Sequence, residues 1–270
     1  MELCDIPTLT SAGGFTLNIE ERAALSASLA ILRDSERFHH VRLWGKVLAV
    51  SRMYLVAVGW SDDYFRRKYF YSMDASTWLL LPEVTTEEVK ATRKISQRFT
   101  GDIAFEYTVG DEVASETPDS SPKTVLNEEK RLSAFIRLIN NDCEIVPRGA
   151  FYKDAMNSVQ LNPSFVGLSR PELPHLESYF HFRPDWHPNT ALMTTADRDR
   201  RQDTIDIFES VSSDRPRGVW SINLESGAQQ SVLRNLEWPG YFFFHSTQPS
   251  RWGGMYVGTG QRNINFGYML

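Results

Sequence analysis

The chain is short of cysteine, of any strong excess of charge and of long apolar runs, and each shortage closes off a class of function. Its 270 residues contain two cysteines, Cys4 and Cys143. These are too few and too far apart for a disulfide framework or a zinc site, so a reducing, intracellular compartment is expected. The net charge of −5 and pI near 5.7 argue against nucleic acid as the main partner, because binding phosphates calls for a basic face. No 18 apolar residues run together, so no membrane span and no membrane partner are expected. The start, Met1-Glu-Leu-Cys-Asp5, lacks the basic residues and apolar core of a secretory signal. No segment repeats with a fixed period.

Catalytic signatures are equally scarce. There is no Gly-x-Ser-x-Gly, no lysine-bearing phosphate loop and no His-Glu-x-x-His. His175, His181 and His187 stand six residues apart, which suits neither a helical i,i+4 pair nor a short-loop pair, and no cysteine lies near them. His39 and His40 would point to opposite sides of a strand. Gly258-Thr-Gly260 lacks the third glycine and the following helix and strand of a dinucleotide site, so it reads as a turn. Asp62-Asp63 and Glu87-Glu88 sit beside a turn or a helix start, where the dipole favours acidic side chains. No catalytic, cofactor-binding or metal-binding residue is therefore assigned.

What the chain does have is a regular alternation of elements and many aromatics. Residues 1–16 read as an N-terminal leader with Gly13-Gly14 as a hinge, and 17–270 as a single domain. Asn18 with Glu21 forms a capping-box pattern, and Leu25, Leu29 and Leu32 recur at helical spacing, predicting an amphipathic helix over 19–36. Residues 41–60 read as a hairpin, followed by strands at Tyr69–Met73 and Thr77–Pro82. Thr85-x-x-Glu88 caps a second helix running to about Phe99, and a strand follows at Ile103–Val109.

Residues 111–126 then turn polar, with Pro118 and Pro122, as in a solvated insert. Its Thr117-Pro118 and Ser121-Pro122 dipeptides could accept phosphate. Asn127 opens a third helix with Leu132, Phe135, Ile136 and Ile139 in one stripe. Strands at 143–153, a distorted helix start at Ser169–Glu172, a charged helix at 196–211, and strands at Val219–Leu224 and Ser231–Leu236 follow. The pattern predicts an α+β fold, a mainly antiparallel sheet with several amphipathic helices packed on it and a long polar loop near the middle.

The end of the chain is the most aromatic part. Tyr241-Phe-Phe-Phe-His245 carries no charge, Met255-Tyr-Val257 is a second short strand, and Phe266-Gly-Tyr-Met-Leu270 closes the chain. Two readings are open: an internal sheet strand, or a docking surface, since aromatics anchor interfaces. The candidate interface residues are Trp238, Tyr241, Phe242, Phe243, Phe244, Trp252, Tyr256, Phe266, Tyr268 and Leu270. By size scaling the chain should expose roughly 12,000 Å², against about 800 Å² per partner in a standard interface, enough for several neighbours.

Eight blocks carry a further signal. Leu43-Trp-Gly-Lys-Val-Leu48, Trp78-Leu-Leu-Leu-Pro82, Arg98-Phe-Thr-Gly-Asp102, Ile145-Val-Pro-Arg-Gly-Ala150, Ser178-Tyr-Phe-His-Phe-Arg183, Val219-Trp-Ser-Ile222, Trp238-Pro-Gly240 and Tyr256-Val-Gly-Thr-Gly260 resemble, in order, the radial spoke head protein 9 family of ciliary axonemes. The resemblance implies a structural part of the spoke head without catalytic residues or cofactor. It would sit beside the similar head proteins 4 and 6 and the repeat-containing head proteins 1 and 10. The head makes transient contact with central pair projections and relays mechanical signals toward the dynein arms. The competing class is a cytosolic enzyme or small-molecule binder with a pocket around His181 or His245.

Overall fold

The computed structural model describes residues 2–6, 17–109, 124–154, 158–183, 208–225, 227 and 229–268. The first helix, α1 (Ile19–Glu36), starts as its capping box requires: the Asn18 side chain accepts from the Ile19 amide, and Glu21 takes the Asn18 N–H. It stops at Arg37, which adopts the left-handed conformation. The hairpin β1 (His40–Leu48) and β2 (Met53–Trp60) leads into β3 (Lys68–Ser72) and β4 (Leu79–Leu80). Thr85 and Glu88 cap α2 (Thr86–Lys94) reciprocally.

After these come β5 (Glu106–Val109), β6 (Thr124–Asn127) and α3 (Glu128–Cys143). Short strands β7 (Ile145–Pro147), β8 (Phe151–Lys153), β9 (Val159–Leu161) and β10 (Tyr179–His181) follow. The chain then forms β11 (Trp220–Glu225), β12 (Gln230–Asn235), β13 (Tyr241–Thr247) and β14 (Ser250–Gly258). Among the described residues no helix is long and apolar enough to cross a membrane.

The α+β expectation holds. Eight strands form one sheet in the order β11-β12-β13-β14-β1-β2-β3-β4. It consists of two antiparallel meanders, one from each end of the chain, and the single parallel pairing of β1 with β14 joins them. Gly45 faces Tyr256 across this seam, where a Cβ would collide with the Tyr256 carbonyl oxygen. Only glycine lets the two backbones approach so closely.

Both faces of the sheet are covered. On one side Leu25, Leu29 and Leu32 of α1 pack on Leu43, Leu55, Phe70, Val232, Phe242, Phe244 and Met255. On the other, Leu132, Phe135, Ile136 and Ile139 of α3 pack on Trp44, Tyr54, Val56, Tyr71, Phe243 and Tyr256. This explains the uninterrupted aromatic run. Side chains alternate along β13, so Tyr241 and Phe243 meet α3 while Phe242 and Phe244 meet α1. A strand buried on both faces has no polar side to show.

Four local expectations need correction. Ser169 N and Oγ do bond to Glu172, yet the segment makes only turns, since Pro174 has no N–H to continue a helix. The strand expected at Thr77–Pro82 shrinks to Leu79–Leu80, because Asp74 Oδ1 accepts from both the Ser76 and Thr77 amides and holds the approach in a turn. The second helix ends at Lys94, well short of Phe99. Of the polar insert, residues 111–123 lie outside the described part, but its end is ordered into β6 with Leu126 fully buried.

Other expectations fall beyond the described residues: the phosphate-accepting dipeptides, His187, and most of the helix at 196–211. So do leader residues 7–16 with the Gly13-Gly14 hinge. At the start of the leader, Ile6 is buried in the α1-side core and Asp5 accepts from Arg251 of β14.

Candidate functional site

The most polar buried feature is at the start of α3. Glu128 is wholly buried, and its carboxylate accepts from the Tyr54 hydroxyl (2.7 Å), the Tyr107 hydroxyl (2.7 Å), the Thr100 amide (2.8 Å) and hydroxyl (2.5 Å), and the Gly101 amide (2.7 Å). Burial alone would raise its pKa. The donors from Thr100, Tyr107 and Tyr54 outweigh burial and hold it below the usual carboxylate value. One turn on, the Arg131 guanidinium donates to the Gln97 and Arg98 carbonyls and lies between the rings of Phe99 (4.2 Å) and Tyr107 (4.4 Å).

These two charges tie α3 to β2, β5 and the loop after α2. A carboxylate offers about four lone-pair sites, and here five internal donors occupy them. The arrangement is chemically a clamp: it binds the chain to itself.

The two buried histidines are also committed to the fold. His181 Nε2 lies 2.9 Å from both oxygens of Asp214, which also accepts from the Trp220 indole (2.8 Å), so the trio fastens β10 to the start of β11. His245 Nε2 accepts from the Leu168 amide (3.3 Å), and desolvation lowers its pKa to about 4, leaving the ring neutral near pH 7.

A cavity of about 550 Å³ lies between β3, β4 and α3 and involves neither histidine. Arg67 crosses its floor, donating to both oxygens of Glu144 (2.6 and 2.8 Å) with its guanidinium over Phe182. Lys68, Arg93, Arg137 and Arg183 stand around an apolar lining that includes Leu80, Pro82 and Ile136. This is a basic-rimmed groove on an acidic chain. A groove of this kind suits contact with an acidic partner better than proton transfer, because Glu144, the half-buried carboxylate in its lining, is held by Arg67.

Residues 65–204 match the family model described as Radial spokehead-like protein. Across nearly the whole chain the similarity extends to proteins named Radial spoke head protein 9 homolog. The Homo sapiens protein is 36% identical over 272 residues, the Xenopus tropicalis protein 37% over 269 and the Danio rerio protein 36% over 272. Each alignment covers 97% of this chain and 96% of the relative. The chain belongs to the radial spokehead-like family. The residues matched to that model include the Glu128–Arg131 clamp, the Arg67–Glu144 pair and all of α3. The alignments to radial spoke head protein 9 homologs extend the likeness over both meanders of the sheet.

Against this family background, the ten candidate interface residues fall into four groups. Trp238, Tyr241, Phe242, Phe243, Phe244, Tyr256 and Phe266 are buried in the chain's own cores, and Trp252 is half-buried. Tyr268 is 93% exposed, and Leu270 lies outside the described residues. The structure thus brings the aromatic blocks together as core, and of the described candidate residues only Tyr268 is fully presented outward. Sequence reading missed Glu128 and Arg131. A helix whose first turn carries Glu128 and Glu129 looks like ordinary dipole complementation, and nothing in the spacing shows that Tyr54 and Tyr107 converge there.

Proposed function

We propose that the chain is a non-catalytic building piece of the radial spoke head in the axoneme of cilia or flagella. There it helps to relay mechanical signals between the central pair and the dynein arms. The observation that carries this reading is the full-length similarity to proteins named Radial spoke head protein 9 homolog. The interior supports it: the buried charges hold the fold together, as suits a part that transmits force. Head proteins 4, 6, 1 and 10 are the neighbours the reading calls for.

The tail contributes to assembly through Tyr268, whose ring projects into solvent beside the exposed Ile264. Affinity purification of the tagged chain from detergent-extracted axonemes tests the reading: the other head proteins should co-elute, and their absence from the eluate would overturn it. Tyr268→Ser should lower incorporation without changing thermal stability.

A further inference from the structure

The two outer edges of the eight-stranded sheet are unlike. At one end β4 has only two residues and runs into Pro82, which offers no N–H. That edge is blunted against further pairing. At the other end β11 is a six-residue strand, Trp220-Ser-Ile-Asn-Leu-Glu225, with no lysine, proline or bulge against β12. Among the described residues, the acidic Glu225 at its end and the burial of Trp220 at its start are all that protects this edge.

The ladder shows which groups β11 leaves over. The Leu236 amide donates to the Val219 carbonyl, and the register pairs Trp220 with Asn235 through to Glu225 with Gln230. Hydrogen-bonded and non-bonded pairs alternate in an antiparallel ladder, so Ser221, Asn223 and Glu225 bond to β12. Trp220, Ile222 and Leu224 therefore turn their N–H and C=O groups away from the sheet. Among the described residues no backbone group bonds to them, and Leu224 is itself an exposed apolar side chain.

We propose that this edge pairs antiparallel with the same edge of a second copy of the chain, joining two sheets about a two-fold axis. The strand is complementary to itself when Ile222 is placed opposite Ile222 of the other copy. The three outward-facing positions then fall together: Ile222 on Ile222, and Trp220 on Leu224 in both directions. Each pair exchanges two main-chain bonds. Ser221 meets Asn223, and Glu225, the strand's only charge, meets Val219, so no like charges oppose each other. Such an isologous contact closes on itself and leaves no open edge of this kind.

The test uses the purified full-length chain in light scattering over a dilution series. The wild type should give the mass of a dimer. Leu224→Pro removes an outward N–H and should yield a monomer with unchanged thermal unfolding. Asn223→Pro removes an inward N–H and should destabilise the fold itself. Leu224→Lys, which leaves the backbone intact, should also give a monomer. A wild-type chain that stays monomeric at every concentration would overturn the proposal, as would a dimer that survives both Leu224 variants. A monomer that instead takes up a strand of a different spoke-head protein at this edge would overturn the choice of a second copy while leaving the family reading intact.

Discussion

The two coverings of the sheet are built differently. Helix α1 lies on its face mainly through leucines, with one polar cross-tie, Lys46 Nζ to Glu21 at 2.8 and 3.0 Å. Helix α3 lies on the opposite face through an apolar stripe together with a set of directed bonds: Glu128 to five donors, Arg131 to two carbonyls, and Asn140 to both the Trp44 indole and the Tyr69 hydroxyl. Apolar packing is non-directional and tolerates small changes of shape. A buried network of hydrogen bonds tolerates almost none, since each unpaired group costs its full desolvation. The α1 face therefore supplies stability with some freedom of position, and the α3 face fixes a single arrangement.

The largest expected effect separates these two kinds of covering. Glu128→Gln keeps the volume but removes the charge and turns an amide NH₂ toward groups that are themselves donors. It should cost about 3–5 kcal/mol, the range for breaking a buried charged network. Leu29→Met on α1 keeps volume and chemistry and should cost less than about 1.5 kcal/mol. Urea unfolding of both variants gives the comparison directly, and equal costs would break it.

Acid should act on the α3 side first. His245, on the same side of β13 as Phe243, is neutral in the fold with a pKa of about 4, against 6.5 for an exposed imidazole. Between those values the unfolded chain binds a proton that the folded chain refuses, so stability is undiminished above pH 6.5 and falls as the pH drops toward 4. The loss should total about 3 kcal/mol. Glu128, whose pKa is lowered in the fold, adds a second loss at lower pH: its contribution is complete above the ordinary carboxylate range and disappears as the carboxylate protonates. Thermal unfolding from pH 7 to pH 4 should show the first decline, and His245→Gln, which can still accept from the Leu168 amide, should flatten it.

The same contrast explains how far the sequence could be read. Structure set by local chemistry was legible: the caps at Asn18 and Thr85, the stripe on α3, the first hairpin, and the strand character of Tyr241–His245. The α1 face was implicit in Leu25, Leu29 and Leu32. Features made by residues distant in sequence were not. The parallel seam between β1 and β14 depends on Gly45 meeting Tyr256, and the clamp depends on Tyr54, Thr100 and Tyr107 reaching Glu128. Chain ends and aromatic runs were ambiguous because residues suited to an interface are also suited to a core. Only the second covering layer, α1, shows that Phe242 and Phe244 face inward.

The smallest effect tests whether α1 is keyed at all. Lys46 and Glu21 are nearly covered, with 10% and 15% of their side chains exposed, and the pair could be mistaken for the α1 counterpart of the clamp. It differs in its fewer bonds: Lys46 meets Glu21 alone, and Glu21 takes only the Asn18 N–H besides. Replacing both residues together, Lys46→Met with Glu21→Gln, leaves no uncompensated charge, and glutamine can still accept the Asn18 N–H that starts the helix. Exchanging a covered ion pair for groups of similar size is often neutral, so the double variant should unfold within about 1 kcal/mol of the wild type. A loss comparable to that of Glu128→Gln would mean that both faces are held by directed bonds, and the distinction between a fixed layer and an adjustable one would have to be given up.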